Sequence, residues 1–109
     1  MTKQELVNLL KSTNVVCDEG ITKDINKNTY PRIVFWDYYW EPLTASNKEY
    51  DTNVTYQISF FSNVPRHQKL LELKQKLADN SVFPTISHEY VEENKCWHSF
   101  FAVEVLEKI

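Results

Sequence analysis

The hydrophobic pattern of this chain changes period three times. Residues 2–10 carry leucines at Leu6, Leu9 and Leu10, with Val7 at the edge of the stripe, the spacing of one apolar face on a short helix. Thr2 can cap that helix with Glu5 three positions on, and Met1 can pack on Leu6 as a hydrophobic staple. A short apolar run, Asn14 to Cys17, then ends in Asp18-Glu19-Gly20, where the single glycine of the chain falls at a predicted turn. Residues 21–30 are polar apart from Ile21, Ile25 and Tyr30, and read as a loop that the two isoleucines pin down. Pro31 precedes a long aromatic and β-branched run.

That run, from Arg32 to Phe61, holds the strongest sheet signal: two strands, Arg32 to Trp40 and Glu49 to Phe61, joined by a polar link from Glu41 to Lys48. Strict alternation places Ile33, Phe35, Asp37 and Tyr39 on one face and Val34, Trp36, Tyr38 and Trp40 on the other. Both faces are then largely apolar, so either helices cover both sides or one side meets another molecule. The second strand alternates Val54, Tyr56, Ile58 and Phe60 with Asn53, Thr55, Gln57 and Ser59, which predicts one core face and one wet face.

Period 3.6 returns after Ser62-Asn63-Val64-Pro65, a capping segment with proline in the first turn. Leu70, Leu73 and Leu77 form the stripe, Leu71 widens it, and Asp79-Asn80 provides a stop. Past Pro84, residues 85–91 form a strand, the polar tip Glu92-Glu93-Asn94-Lys95 reverses the chain, and Trp97, Ser99, Phe101, Val103 and Val105 alternate along the last strand. The predicted order is α-β-β-β-α-β-β. This is an α+β fold, a mostly antiparallel sheet packed by two helices, in a single domain over residues 1–109.

Composition narrows the function. An aromatic content of 14% in 109 residues supports one packed core rather than a disordered chain. A net charge of −3 offers no general attraction for nucleic acid. The N-terminus has no signal-peptide core, because Lys3, Gln4 and Glu5 interrupt it, and no apolar run approaches the roughly 20 residues of a membrane span. Two cysteines, Cys17 and Cys96, fall in different predicted strands without zinc or redox spacing, which reads as two reduced thiols in a cytoplasmic protein.

The chemistry-bearing residues form no familiar constellation. His67, His88 and His98 are scattered; His88 and His98 could be neighbours across the last hairpin, with Glu89 or Glu92 completing a metal site, but that spacing matches no familiar ligand pattern and ordinary cross-strand surface positions explain them better. No serine sits in a glycine-flanked elbow, and a single glycine excludes a glycine-rich phosphate loop. The reading is no enzyme, no cofactor and no metal. The aromatics Phe35, Trp36, Tyr38, Tyr39 and Trp40 could stack bases, but Asp37, Glu41, Glu49 and Asp51 surround them; core packing and a protein interface explain them better.

The element order resembles that of siphophage tail-completion, or tail-terminator, proteins. So do the passage Tyr56-Gln57-Ile58-Ser59-Phe60-Phe61-Ser62-Asn63 into the Leu70/Leu73/Leu77 helix, and the Tyr90-Val91-Glu92-Glu93-Asn94 hairpin. The resemblance spans about Thr2 to Leu106. It implies a structural protein made in the host cytoplasm and carried into the virion at the head–tail junction. There it forms a ring, typically hexameric, that caps the tail tube, stops its polymerisation and binds the head-connector or head-completion protein, with DNA only as passing cargo. The interface residues expected are Trp36, Tyr38 and Trp40 on the strand, Pro42, Leu43 and Lys48 in the link, and Glu92 and Glu93 at the hairpin tip. The alternative is a small α+β ligand-binding domain or enzyme with a pocket between sheet and helices, near His88 or His98.

Overall fold

The computed structural model describes residues 1–45 and 48–109, with side chains outside 45–50. Helix α1 (Lys3–Lys11) and strand β1 (Val16–Glu19) lead through a 3-10 turn, Asp24–Asn26, into β2 (Arg32–Ala45) and β3 (Lys48–Ser62). Helix α2 (Gln68–Asp79) and the hairpin β4 (Ser87–Val91) and β5 (Cys96–Glu107) complete the chain. The fold is the expected α+β arrangement in the expected order. One five-stranded sheet runs β1-β2-β3-β5-β4; only the β1–β2 pair is parallel.

Local chemistry places the helix ends. Thr2 accepts the Glu5 amide at 3.1 Å on its Oγ1, and the first-turn Glu5 faces the positive end of the helix. Gly20 closes β1 at φ +90°, a conformation other residues resist. The second helix starts later than the Ser62–Pro65 signal suggests. Ser62 still pairs in β3 opposite Trp97, and Arg66 adopts φ +50°, which breaks any helix begun at Pro65. The cap is the His67 imidazole, whose Nδ1 accepts the Lys69 amide at 3.0 Å. At the far end the left-handed residue is Ser81, φ +61°, rather than Asn80.

Both helices lie on one face of the sheet. Leu6, Leu9, Leu10, Leu70, Leu73 and Leu77 pack on Ile33 and Phe35 of β2, on Val54, Tyr56, Ile58 and Phe60 of β3, and on Phe101, Val103 and Val105 of β5. Each fully buried leucine contributes about 1.5–3 kcal/mol relative to exposure. These leucines are the ones whose helical spacing predicted burial; Leu71, expected to widen the second stripe, lies instead at its exposed edge.

Among the described residues the opposite face carries neither α-helix. The connection between the parallel strands β1 and β2, residues 20–31, crosses one end of it. Ile21 and Ile25, expected to pin this loop, are 79% and 86% exposed. Asp18 holds it instead: buried on the helix-free face, its Oδ2 accepts the Lys23 amide at 3.2 Å and the Asn26 side-chain amide at 3.0 Å. Satisfied polar bonds can anchor a loop that has too few apolar contacts.

Two further expectations change with the pairing. The link Glu41–Lys48 is mostly strand: Glu41–Ala45 pair with Lys48–Asn53, leaving only Ser46 and Asn47, which lie outside the described residues. Backbone pairing overrides the loop-like composition, and Pro42 is tolerated because β1 flanks β2 only from Arg32 to Phe35 and the edge beyond is open. Nor is the second face of β3 uniformly wet. Ser59 and Thr55 are buried, with strands flanking β3 on both sides and the His98 ring against Ser59.

Candidate interaction surface

A bulge decides which aromatic residue faces where. Asp37 pairs with Tyr56 and Tyr39 with Thr55, so Tyr38 is the extra residue and alternation slips by one. Trp40 therefore lies across from Val54 on the helix-side face. It does not share a face with Val34 and Trp36, as strict alternation predicts. Its indole N–H donates to Asp37 Oδ2 at 2.6 Å, bracing the bulge. Tyr39, Glu41 and Leu43 are set on the other face, in register with Thr55, Asn53 and Asp51. Tyr38, Tyr39, Trp40 and Leu43 are 58%, 55%, 55% and 39% exposed.

We refer to this outer half of the hairpin as the arm: residues Thr52–Thr55, opposite Tyr39–Pro42, still pair with β5, and only Leu43–Ala45 with Lys48–Asp51 extends past that strand. Beyond Asp37 its open edge has no described strand beside it, and the molecule measures 51 × 29 × 22 Å. Among the expected interface residues, Tyr38, Trp40, Pro42 and Leu43 stand together on the arm, and Lys48 opens β3 at its end. Trp36 is half-buried on the helix-free face nearer the body, opposite Gln57. Glu92 and Glu93 are exposed in the β4–β5 turn, at the Ser62 end of the sheet. At about 3.3 Å per residue, the length of β3 separates them from Lys48 by roughly 45 Å. The structure thus does not join these two groups into one patch.

Register assembles a second cluster that spacing along the chain does not reveal. On the helix-free face the Arg32 guanidinium lies between the Tyr30 and Phe61 rings, 4.8 and 4.6 Å from their centroids. The His98 ring stacks on Phe61 at 4.5 Å and 7° and leans on Phe100 at 4.9 Å. His98 Nδ1 lies 2.9 Å from Glu89 Oε1, and its Nε2 lies 2.8 Å from Ser59 Oγ. These residues come from the β1–β2 loop and from β2, β3, β4 and β5. The detectable signal was alternation within each strand; the order of strands was the missing part. His88 is on the opposite face, with Nδ1 2.7 Å from Ser99 Oγ, so it and His98 cannot share a metal ion.

No family model and no curated protein matches the chain. Its site must therefore be read from its own geometry. Two titratable groups outside the arm, Tyr56 and Cys17, are built into the body. Tyr56 donates to Glu107 Oε2 at 2.9 Å, and its phenol is pushed up, first by burial and then by that carboxylate. Burial raises the Cys17 thiol to about 11, which leaves it a protonated, unreactive group at neutral pH. Cys17 and Cys96 are both free, half-buried and buried respectively. No helix among the described residues is long and apolar enough to cross a membrane.

A groove lies where α2 meets the segment leading into β4. Its floor is Leu70, Leu71, Pro84 and Ile86, its rim carries Arg66, Lys74 and His88, and its volume is about 490 Å³. A smaller hollow of about 220 Å³, lined by Pro65, Arg66, His88, Trp97 and Ser99, continues it across β5.

Proposed function

We propose that this chain is a structural assembly subunit: it joins a ring of identical copies on the end of a phage tail tube, stops tube polymerisation and presents a surface to the head connector. The observation that carries this reading is the open-edged outer half of the β2–β3 hairpin with its solvent-facing Tyr38, Tyr39, Trp40 and Leu43. A body with a complete leucine core has no need of that apolar surface, and clustered exposed aromatics are characteristic of interfaces. The resemblance of element order and of the Tyr56–Asn63 passage directs the reading to tail completion. A six-membered ring with the net acidic charge of this chain would repel the DNA that passes through it. Synthesis in the host cytoplasm and residence at the head–tail junction follow from the same reading.

Electron microscopy of particles made without this chain tests it. Overlong or unattached tails are the expected result, and normal tails joined to filled heads would overturn the reading. Deleting residues 44–47, of which Ser46 and Asn47 lie outside the described residues, tests the arm's part. Normal tail length and head joining in that variant would remove the arm from the contact.

A further inference from the structure

We infer that the outer arm of one copy docks in the α2–β4 groove of the next, with the Tyr39-Glu41-Leu43 strip as the inserted surface. The inference rests on the ring reading above and names the contact that would build the ring. Tyr39, Glu41 and Leu43 alternate along β2 and share one face, so an acid stands between two exposed apolar side chains, with Asp51 beside Leu43 in register. The groove is the complement: an apolar floor of Leu70, Leu71, Pro84 and Ile86 between the cations Arg66 and Lys74. Leu71 is 47% exposed in the isolated chain. Neither Arg66 nor Lys74 forms an ion pair among the described residues, whereas Lys69 on the same helix is occupied by Glu72 at 3.4 Å. Glu41 is likewise without an ion pair among the described residues. Tyr39 to Leu43 spans about 13 Å of extended chain, and the groove volume lies within the range of pockets that enclose a whole ligand.

The chain's own arm cannot be the occupant. The groove is on the helix-bearing face beside the edge strand β4, while the strip faces the other side, three strands away in the β1-β2-β3-β5-β4 order, or about 14 Å across the sheet. A contact between two different surfaces of identical chains is heterologous, and it closes into a ring when the rotation between copies allows. One strip covers less than the roughly 800 Å² per partner of a standard interface, so self-association is weak, with a Kd on the order of 100 µM. Trp40, turned to the other face by the bulge, stays outside this contact.

Sedimentation of the full chain up to millimolar concentration is the test. The arm variant Tyr39→Ser/Glu41→Lys and the groove variant Leu71→Ser/Lys74→Glu should each weaken self-association at least tenfold while keeping the native circular dichroism spectrum and Tm. Mixed together they should form a 1:1 dimer that grows no further, because only one intact arm and one intact groove remain. Trp40→Ala should associate as the native chain does, and Glu41→Lys/Lys74→Glu in one chain should regain at least half of the lost affinity. A native chain that stays monomeric throughout overturns the inference. So does association that neither variant weakens, or that only the groove variant weakens, which would place another segment in the groove. Tail length in particles reads the capping role separately. Native association unaffected by either pair of substitutions, together with defective tails in particles lacking the chain, would sink the arm–groove contact and leave the ring reading intact.

Discussion

The two halves of the β2–β3 hairpin share a ladder and differ in everything around it. From Arg32 to Phe35, β2 is flanked by β1 and β3, backed by the helices and capped on the far face by the residue 20–31 loop; Ile33, Val34 and Phe35 are all buried. From Tyr38 to Ala45 the same strand has β3 alone beside it among the described residues. Aromatic composition hardly changes across the boundary. Burial is set by the neighbours, and apolar side chains that lack them are surface available for a partner.

This contrast predicts graded responses. The largest belongs to the body: Ile58→Ala or Leu73→Ala removes a fully buried side chain from beneath the helices and should cost about 2–5 kcal/mol in urea unfolding. A cost below about 1 kcal/mol would mean that the two faces had been read the wrong way round.

Next comes the loop that closes the body half. Asp18→Ala leaves the Lys23 amide and the Asn26 amide without their shared acceptor and should cost about 1–3 kcal/mol. The pH dependence has a definite sign. The Asn26 amide, then the Lys23 amide and the nearby Lys23 and Arg32 charges, hold the Asp18 carboxyl below its usual value despite burial. The stabilisation is therefore complete above the unfolded pKa of about 3.9 and drains away as pH falls through the lower folded value. The Asp18→Ala variant should lose less stability than the native chain over that acid range.

A smaller effect is expected where the body meets the arm. Tyr56→Phe deletes the bond to Glu107 and should cost about 0.5–1.5 kcal/mol, with loss from an ultraviolet titration of the phenol that burial and that carboxylate push up. In the same body half, the Cys17 thiol should react slowly with iodoacetamide at pH 8, and stability should decline as pH rises from about 9, the free thiol's value, towards about 11. Rapid alkylation at pH 8 in the folded protein would contradict the burial assigned to β1.

The smallest effect lies on the arm: Tyr39→Ser should change unfolding stability by no more than about 0.5 kcal/mol, since its ring is more than half exposed. A large loss there would show that the arm is part of the body's core, and the comparison would collapse.

Much of this division was legible along the chain. The six helix leucines, the Thr2–Glu5 cap, the turn at Gly20 and the alternation of β3 and β5 all depend on residues within a few positions of one another, where the 3.6 and 2.0 periods act directly. Those local signals sufficed for the element order and for the α+β class. The candidate surface was legible only in part, because clustered aromatics announce apolar area without saying what covers it.

The remainder was settled by pairing between distant segments. One extra residue at Tyr38 rotates Trp40 away from Trp36, and nothing in Phe35-Trp36-Asp37-Tyr38-Tyr39-Trp40 marks it, since a bulge is defined by the partner strand. The continuation of β2 through Glu41-Pro42-Leu43 depends on the pairing offered by β3, and the parting of His88 from His98 depends on the β4–β5 register. Joining Arg32, Phe61 and His98 required the strand order itself. Sequence alone determined the order of helices and strands and the leucines and alternating residues of the core, because those signals are local; tertiary pairing decided how far β2 runs and which aromatic surface remained uncovered.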